Sequence, residues 1–224
     1  MRFSFEDDSE KITLQKVSGC DGLTLGITIP RPGTLGQFLA GYDRRVITKL
    51  RVIDSIDAED IATLNALPNL SVLDMENADL TRLPSKAFKD NKTLTSIKLP
   101  KTLTTIGEKA FSHCTGLTGN LTIPNSVTKI RQGAFWDCTG LTSVTIPSGV
   151  TNIQMHAFSA CAGLTTIYCK ANTPPQLYLG RHSEAFKGVS TSKCVLYVPT
   201  GCAHAYRTAE GWRNYDFKII ETKF

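Results

Sequence analysis

Between Leu141 and Gly163 the apolar side chains fall at Leu141, Val144, Ile146, Val150, Ile153, Ala157, Phe158 and Cys161, with polar or small residues between them. Val144 and Ile146 are two apart, the spacing at which a strand turns both side chains to one face. Pro147 follows and cannot donate to a ladder, so the strand ends there. Val150 and Ile153 then return to the same core from its opposite wall, and Ala157-Phe158 closes the turn. The same order recurs in LTSIKLPKTLTTIGEKAFSHCTG from Leu94 and in LTGNLTIPNSVTKIRQGAFWDCTG from Leu117. The three units are 23, 24 and 23 residues long, and the extra residue of the middle one falls near Gly119-Asn120. A weaker copy begins at Leu70 and an opening of similar length at Ile47. A truncated copy begins at Leu164 and resumes at Ala185-Phe186 after an irregular insertion.

Eight apolar side chains are too few for a core of their own. Such units are stable only when neighbours stack and share their interiors. The expected fold is therefore a β-rich solenoid, a right-handed coil with a parallel sheet face, running over residues 47–187. Strands at 95–99, 121–123 and 143–146 should be neighbours in one parallel sheet. A β-sandwich would alternate without Ala-Phe and Cys at fixed offsets.

An array leaves its first and last cores open, so caps are expected: an N-terminal segment and cap over 1–46 and a C-terminal cap over 188–224. Residues 34–40 suit a short helix with Thr34 as its N-cap, covering the first coil with Leu35, Phe38 and Leu39. VLYVP at 195–199 reads as a strand. Thr200 is placed to cap a helix reaching about Gly211, with Tyr206, Ala209 and Trp212 on one face. Those aromatics either seal the core or form a sugar-stacking platform, and sealing is the commoner use. The acidic group Asp54, Asp57, Glu59 and Asp60 lacks the central glycine of an EF-hand loop. It suits a helix N-terminus, where acids favour the dipole.

Cys114, Cys138 and Cys161 occupy one position in successive units, and Asn91 holds it in the preceding unit. Stacked about 4.8 Å apart, they form a column. One thiol per unit with no histidine beside it reads as a buried hydrophobe rather than a metal or redox site. The chain has seven cysteines and no CxxC, so neither a zinc ribbon nor a thioredoxin-like motif is present. None of His113, His156, His182 and His204 has metal-ligand spacing, and no GxSxG, P-loop or GxGxxG occurs. Cys202 and His204, two apart on the expected helix, do not face each other. No catalytic residue, metal or cofactor is expected.

With 41% hydrophobic and 20% charged residues, the composition is that of a folded chain. The net charge of +5 is scattered, without the basic run of a nucleic-acid arm, so no nucleic-acid partner is expected. No apolar stretch is long enough for a membrane-spanning helix. The start, MRFSFEDDSEKITLQ, lacks the basic and apolar blocks of a secretory signal, so either the protein is cytosolic or an export signal was removed before this chain was made.

Outward strand positions pair Val72 with Asp74, Ser96 with Lys98, Asn120 with Thr122, Ser143 with Thr145, and Thr166 with Tyr168. They should form a continuous small-polar face suited to a macromolecular ligand. Aromatics and arginine dominate binding energy, and here they gather near the end of the array. The expected binding residues are Thr145, Thr166 and Tyr168 on the strands, with Tyr178, Arg181 and His182 in the irregular loop NTPPQLYLGRHSEAF.

The pattern LTSVTIPSGVTNIxxxAFxxCxGL resembles the BspA-like (Treponema pallidum-type) leucine-rich repeats of surface proteins in Bacteroides and its relatives. The entry segment PGTLGQFL and the exit segment CVLYVPTGCAHAYRTAEGWRNYDFKIIE resemble theirs too. The resemblance implies a leucine-rich-repeat solenoid at the cell surface or in the periplasm, with no catalytic residues. It implies a protein ligand, such as a host or matrix protein or another surface protein, and an adhesive role. The alternative is a glycan-binding module that aids polysaccharide capture.

Overall fold

The computed structural model describes residues 14–16, 25–29, 31–177 and 184–224. Each coil contributes a front strand, a short back strand and a tight turn. On the front, Leu25–Thr28, Lys49–Ser55, Val72–Asp74 and Ser96–Lys98 run parallel, and Leu14–Lys16 pairs antiparallel with the first of them. Farther along, Gly119–Thr122, Leu141–Ile146, Thr166–Cys169, Val195–Pro199 and Lys218–Thr222 form a second parallel front sheet. The back strands Arg82–Leu83, Thr105–Ile106, Lys129–Ile130, Asn152–Ile153 and Gln176–Leu177 form one unbroken parallel ladder.

The core is a set of columns, one residue per coil. Leu121, Val144, Ile167 and Leu196 are side by side in register behind the front strands, all buried. Leu83, Ile106, Ile130, Ile153 and Leu177 do the same at the back. At the turn, Phe88, Phe111, Phe135, Phe158 and Phe186 stack face to face, with centroids 5.2–5.4 Å apart and planes within 8° of parallel. Each ring packs between the rings above and below, a contact that adds about 0.5–1.5 kcal/mol per pair to the burial itself.

The expected thiol column lies beside that stack, buried and reduced. Each sulfur also donates to the preceding unit: Cys114 to the Phe88 carbonyl at 2.9 Å, Cys138 to Phe111 and Cys161 to Phe135, both at 3.1 Å. Burial pushes the Cys114 and Cys161 thiols up to about 12, and Cys138 well above its ordinary value. Asn91 reaches back in the same direction, from its Nδ2 to Asn65 Oδ1 at 2.9 Å. Just past each thiol, Gly116, Gly140 and Gly163 lie so close to the preceding coil that a Cβ would overlap a backbone carbonyl oxygen.

The front face departs from the expected single sheet. The strands at 121–123 and 143–146 are parallel neighbours as predicted, but Ser96–Lys98 ends one sheet and Gly119–Thr122 begins the next. The break falls at the unit from Leu117, which carries the extra residue near Gly119. Gly119 takes φ +72°, and the ladder slips register between Leu141 and Ser143. The Thr118 amide still donates to the Thr95 carbonyl at 3.1 Å. Farther on, Ser126 Oγ lies 2.6 and 2.7 Å from the Lys101 and Leu103 carbonyls. Between those two clasps the strands part around a cleft of about 730 Å³, lined in part by Ile97, Lys98, Asn120 and Thr122.

Both ends carry caps, with details that differ from expectation. Helix α1 (Leu35–Phe38) does have Thr34 at its N-cap, but the threonine hydroxyl donates to the Arg31 carbonyl instead of capping. The buried Asp60 carboxylate takes that part, accepting from the amides of Gly33 at 2.7 Å, Leu35 at 3.0 Å and Asp57 at 3.2 Å. Asp60 lies in helix α2 (Ala58–Asn65), where it forms a capping box with Asp57. The acidic cluster is thus a helix N-terminus, as expected. Helix α3 (Ala203–Thr208) is shorter than predicted: Cys202 rather than Thr200 precedes it, and Ala209 ends it before Gly211. Tyr206 and Trp212 are buried, and they donate to the carbonyls of Ala171 and Pro175, both at 2.7 Å. They close the last coil and leave no exposed stacking platform.

Phe135→Ala should lower stability by about 3–5 kcal/mol, because it empties a site shared by two neighbouring coils. Chemical denaturation measures this, and a loss below roughly 1 kcal/mol would contradict the shared stack. The thiol column predicts a pH effect. These thiols stay protonated in the fold after they ionise in the unfolded chain, so stability should be complete below about pH 8.5 and decline above it. Cys114, Cys138 and Cys161 should also alkylate slowly at neutral pH, and rapid labelling would contradict their burial. Deleting Gly119 should return its unit to 23 residues and zip the two front sheets together. Amide hydrogen exchange would show new protection at Ile97 and Thr122; unchanged exchange would assign the break to another cause.

Candidate binding surface

Outward side chains on the two halves of the front face differ in chemistry. On the first half the face is charged. Asp74 accepts from Arg51 at 3.2 Å and Lys98 at 3.4 Å, and Glu76 holds Lys101 at 2.9 Å. The Lys101 contact keeps the Glu76 carboxyl below its ordinary range. These pairs are partly or largely exposed, so each adds little stability. They also occupy the cations of this half with internal partners. The smooth small-polar face expected from the strand pattern is therefore ionic at one end and interrupted in the middle.

The far half is aromatic. Strand register sets Thr145, Tyr168, Tyr197 and Ile220 side by side across four neighbouring strands. The rings of Tyr168 and Tyr197 stack with centroids 5.0 Å apart and planes at 23°. Phe224 meets Tyr168 edge-on at 6.4 Å, and the Lys170 ammonium lies 5.3 Å from the Phe224 ring centre. Phe224 is 51% exposed. Thr166 sits in the adjacent row, between Ser143 and Val195.

Of the six residues chosen from the sequence, Thr145, Thr166 and Tyr168 thus share one face. Tyr178, Arg181 and His182 lie outside the described residues. The flanks of their loop are Gln176–Leu177 in the back sheet and Glu184 beside His156 on the turn. Sequence reasoning missed Tyr197, Ile220 and Phe224, because residues 188–224 were assigned wholly to a cap. The signal was present: Leu196 and Val198 point inward, so Val195 and Tyr197 must point outward, as their burial confirms.

The rigid strands fix where these rings stand. Parallel pairing leaves successive side chains pointing to opposite faces, so a residue's row is decided by its register. The arrangement offers an apolar strip with hydroxyl edges, suited to contact with another macromolecule. Among the described residues no group of histidines, cysteines and carboxylates is placed to hold a metal ion, and no helix is long and apolar enough to cross a membrane.

A family model described as a BspA type leucine rich repeat region matches residues 67–193 in six copies. No curated protein matches the chain. Among solved structures, a leucine rich cell surface protein from Faecalibacterium prausnitzii A2-165 is 22% identical over 71% of this chain, with a TM-score of 0.42. The chain covers 38% of that protein. The T. pallidum leucine rich repeat protein is 21% identical, with coverage of 88% of this chain and 90% of its own and a TM-score of 0.47. A leucine-rich repeat protein from Bacteroides ovatus ATCC 8483 is 17% identical, with coverage of 87% and 55% and a TM-score of 0.41. The family match takes in more than half of the chain and includes the units whose phenylalanines and cysteines stack in the core; the chain belongs to the BspA-type leucine-rich repeat family.

Proposed function

We propose that the chain is a non-catalytic binding module of the cell surface or periplasm that captures a protein ligand on the far half of its front face. The observation that carries this reading is the in-register row of Thr145, Tyr168, Tyr197 and Ile220, with Phe224 at its edge. Interface energy concentrates in a few large, pre-positioned aromatic groups, whereas serine and threonine contacts exchange nearly evenly with water. Tyr168 and Tyr197 each stand on a strand and against one another, so little rotamer freedom is lost when a ligand covers them. The ion pairs at the other end satisfy their own charges and leave less for a partner. Placement at the cell surface or periplasm rests on the family.

Biolayer interferometry against a panel of extracellular-matrix and bacterial surface proteins tests the proposal. The Tyr168→Ala, Tyr197→Ala double variant should weaken binding by a factor of roughly 100, in line with the loss of two central anchors. Ser96→Ala and Lys98→Ala should leave it within about threefold. The opposite pattern, with binding kept by the tyrosine variant and lost on changes at Ser96 and Lys98, would move the site to the middle of the array.

A further inference from the structure

The turn ridge, on a different wall from the front strands, carries a second departure from the repeat. The position after the stacked phenylalanine is Lys89, Ser112, Ser159 or Lys187 in the other units, and Trp136 in the middle one. The ring is not needed for the core, because Phe135 already fills it and Trp136 remains 38% exposed. The position before the Ala-Phe pair departs in the same unit. It holds Lys86, Lys109, His156 or Glu184 elsewhere and Gly133 here. Lys86, Lys109, His156 and Gly133 have φ between +53° and +62°, so the backbone does not require glycine there. A Gly133 Cβ would lie 3.3 Å from Lys109 Cγ and at an ordinary 3.8 Å from Trp136 Cβ, so any longer side chain there would start beside the indole.

Two imidazoles flank the indole along the array axis, His113 with its ring centre at 5.1 Å and His156 at 6.1 Å. Each is held by an acid on the following unit. His113 Nδ1 donates to Asp137 Oδ2 at 2.9 Å, and His156 Nε2 lies 3.1 Å from Glu184 Oε2. Ser159 Oγ fixes the other nitrogen of His156 at 3.2 Å. His113 Nε2 has no partner among the described residues.

We infer that this ridge is a carbohydrate site, with Trp136 as the stacking platform for a pyranose ring of an oligosaccharide laid along the array. A pyranose has an apolar face of C–H groups and a rim of hydroxyls. The cluster matches that division, with an indole 38% exposed between two imidazoles and bordered by their nitrogens and carboxylates rather than by further apolar side chains. Interunit hydrogen bonds set the polar groups before any ligand arrives, and this preorganisation limits the entropy lost on binding. The three rings follow the coil-to-coil direction, so a linear chain of sugars would meet them in succession. This site is independent of the tyrosine row on the front face.

The probe is a glycan array of hexose, N-acetylhexosamine and uronic-acid oligomers, followed by titration of the best-bound oligomer with intrinsic fluorescence. Trp136 is exposed and Trp212 buried, so a change in emission or in acrylamide quenching reports on the ridge. Binding is expected to fall at least tenfold in Trp136→Ala. Gly133→Lys should have a similar effect with the fold retained, since Lys86 and Lys109 already occupy the same backbone conformation, and with a somewhat lowered melting temperature from the positive φ. The Tyr168→Ala, Tyr197→Ala variant should bind the oligomer as the parent chain does. An array with no bound glycan, or glycan binding that survives both ridge variants, overturns the inference. So does loss of a protein ligand, rather than a glycan, in Trp136→Ala, which would assign the ridge to protein contact.

Discussion

A coil of some 23 residues encloses a single layer of side chains, and that layer has no inside except the layers next to it. Everything regular in this molecule follows from that shortage. The phenylalanine at each turn packs against the phenylalanines above and below it, and so cannot vary without disturbing two neighbours. The thiol beside it must be small, apolar and able to give its hydrogen to the carbonyl of the previous coil. The glycines after the thiol are fixed by the approach of that coil's backbone. These are three columns with one cause, and stability is a sum of interfaces rather than a property of any unit.

Positions outside the columns are released from this requirement. The front face can be ionic at Asp74 and Lys98 and aromatic at Tyr168 and Tyr197 without altering the coil. The ridge can hold a serine in one unit and a tryptophan in the next. In an array of this kind a departure from the repeat at an exposed position therefore carries information that the same residue in an irregular fold would not. Gly133 and Trp136 depart together, and so do Gly119 and the front ladder.

The parts legible in the sequence were those tied to the columns. Val144 with Ile146, the fixed Ala-Phe pair and the cysteine at a constant offset led to the solenoid, the buried thiols and the order of the coils. Features that depend on what one coil does to another were hidden. The extra residue near Gly119 was visible as a length difference, but its effect on the sheet depends on the path around Gly119, which counting cannot supply. Asp60 read as one acid of a cluster, although its carboxylate collects three amides from two segments. Tyr197 was missed because its strand was viewed as a lid, when by register it continues the face. Thr34 shows the converse error: the right residue at the cap position, with its hydroxyl turned to another partner.

The array is thus unequal in how it would respond to a pull along its axis. On the back, the ladder from Arg82–Leu83 to Gln176–Leu177 is continuous, and the ring stack runs beside it. On the front, the two halves are joined between Thr95 and Ser126 by clasps at either end of an open slot. Tension shared unevenly across the section separates the front there first and bends the rod about its spine. A ligand held on the far half of the front face would be carried through an angle by that bend before any coil unravelled. Compliance of this kind sits at the unit with one inserted residue, and it costs the repeat none of its core.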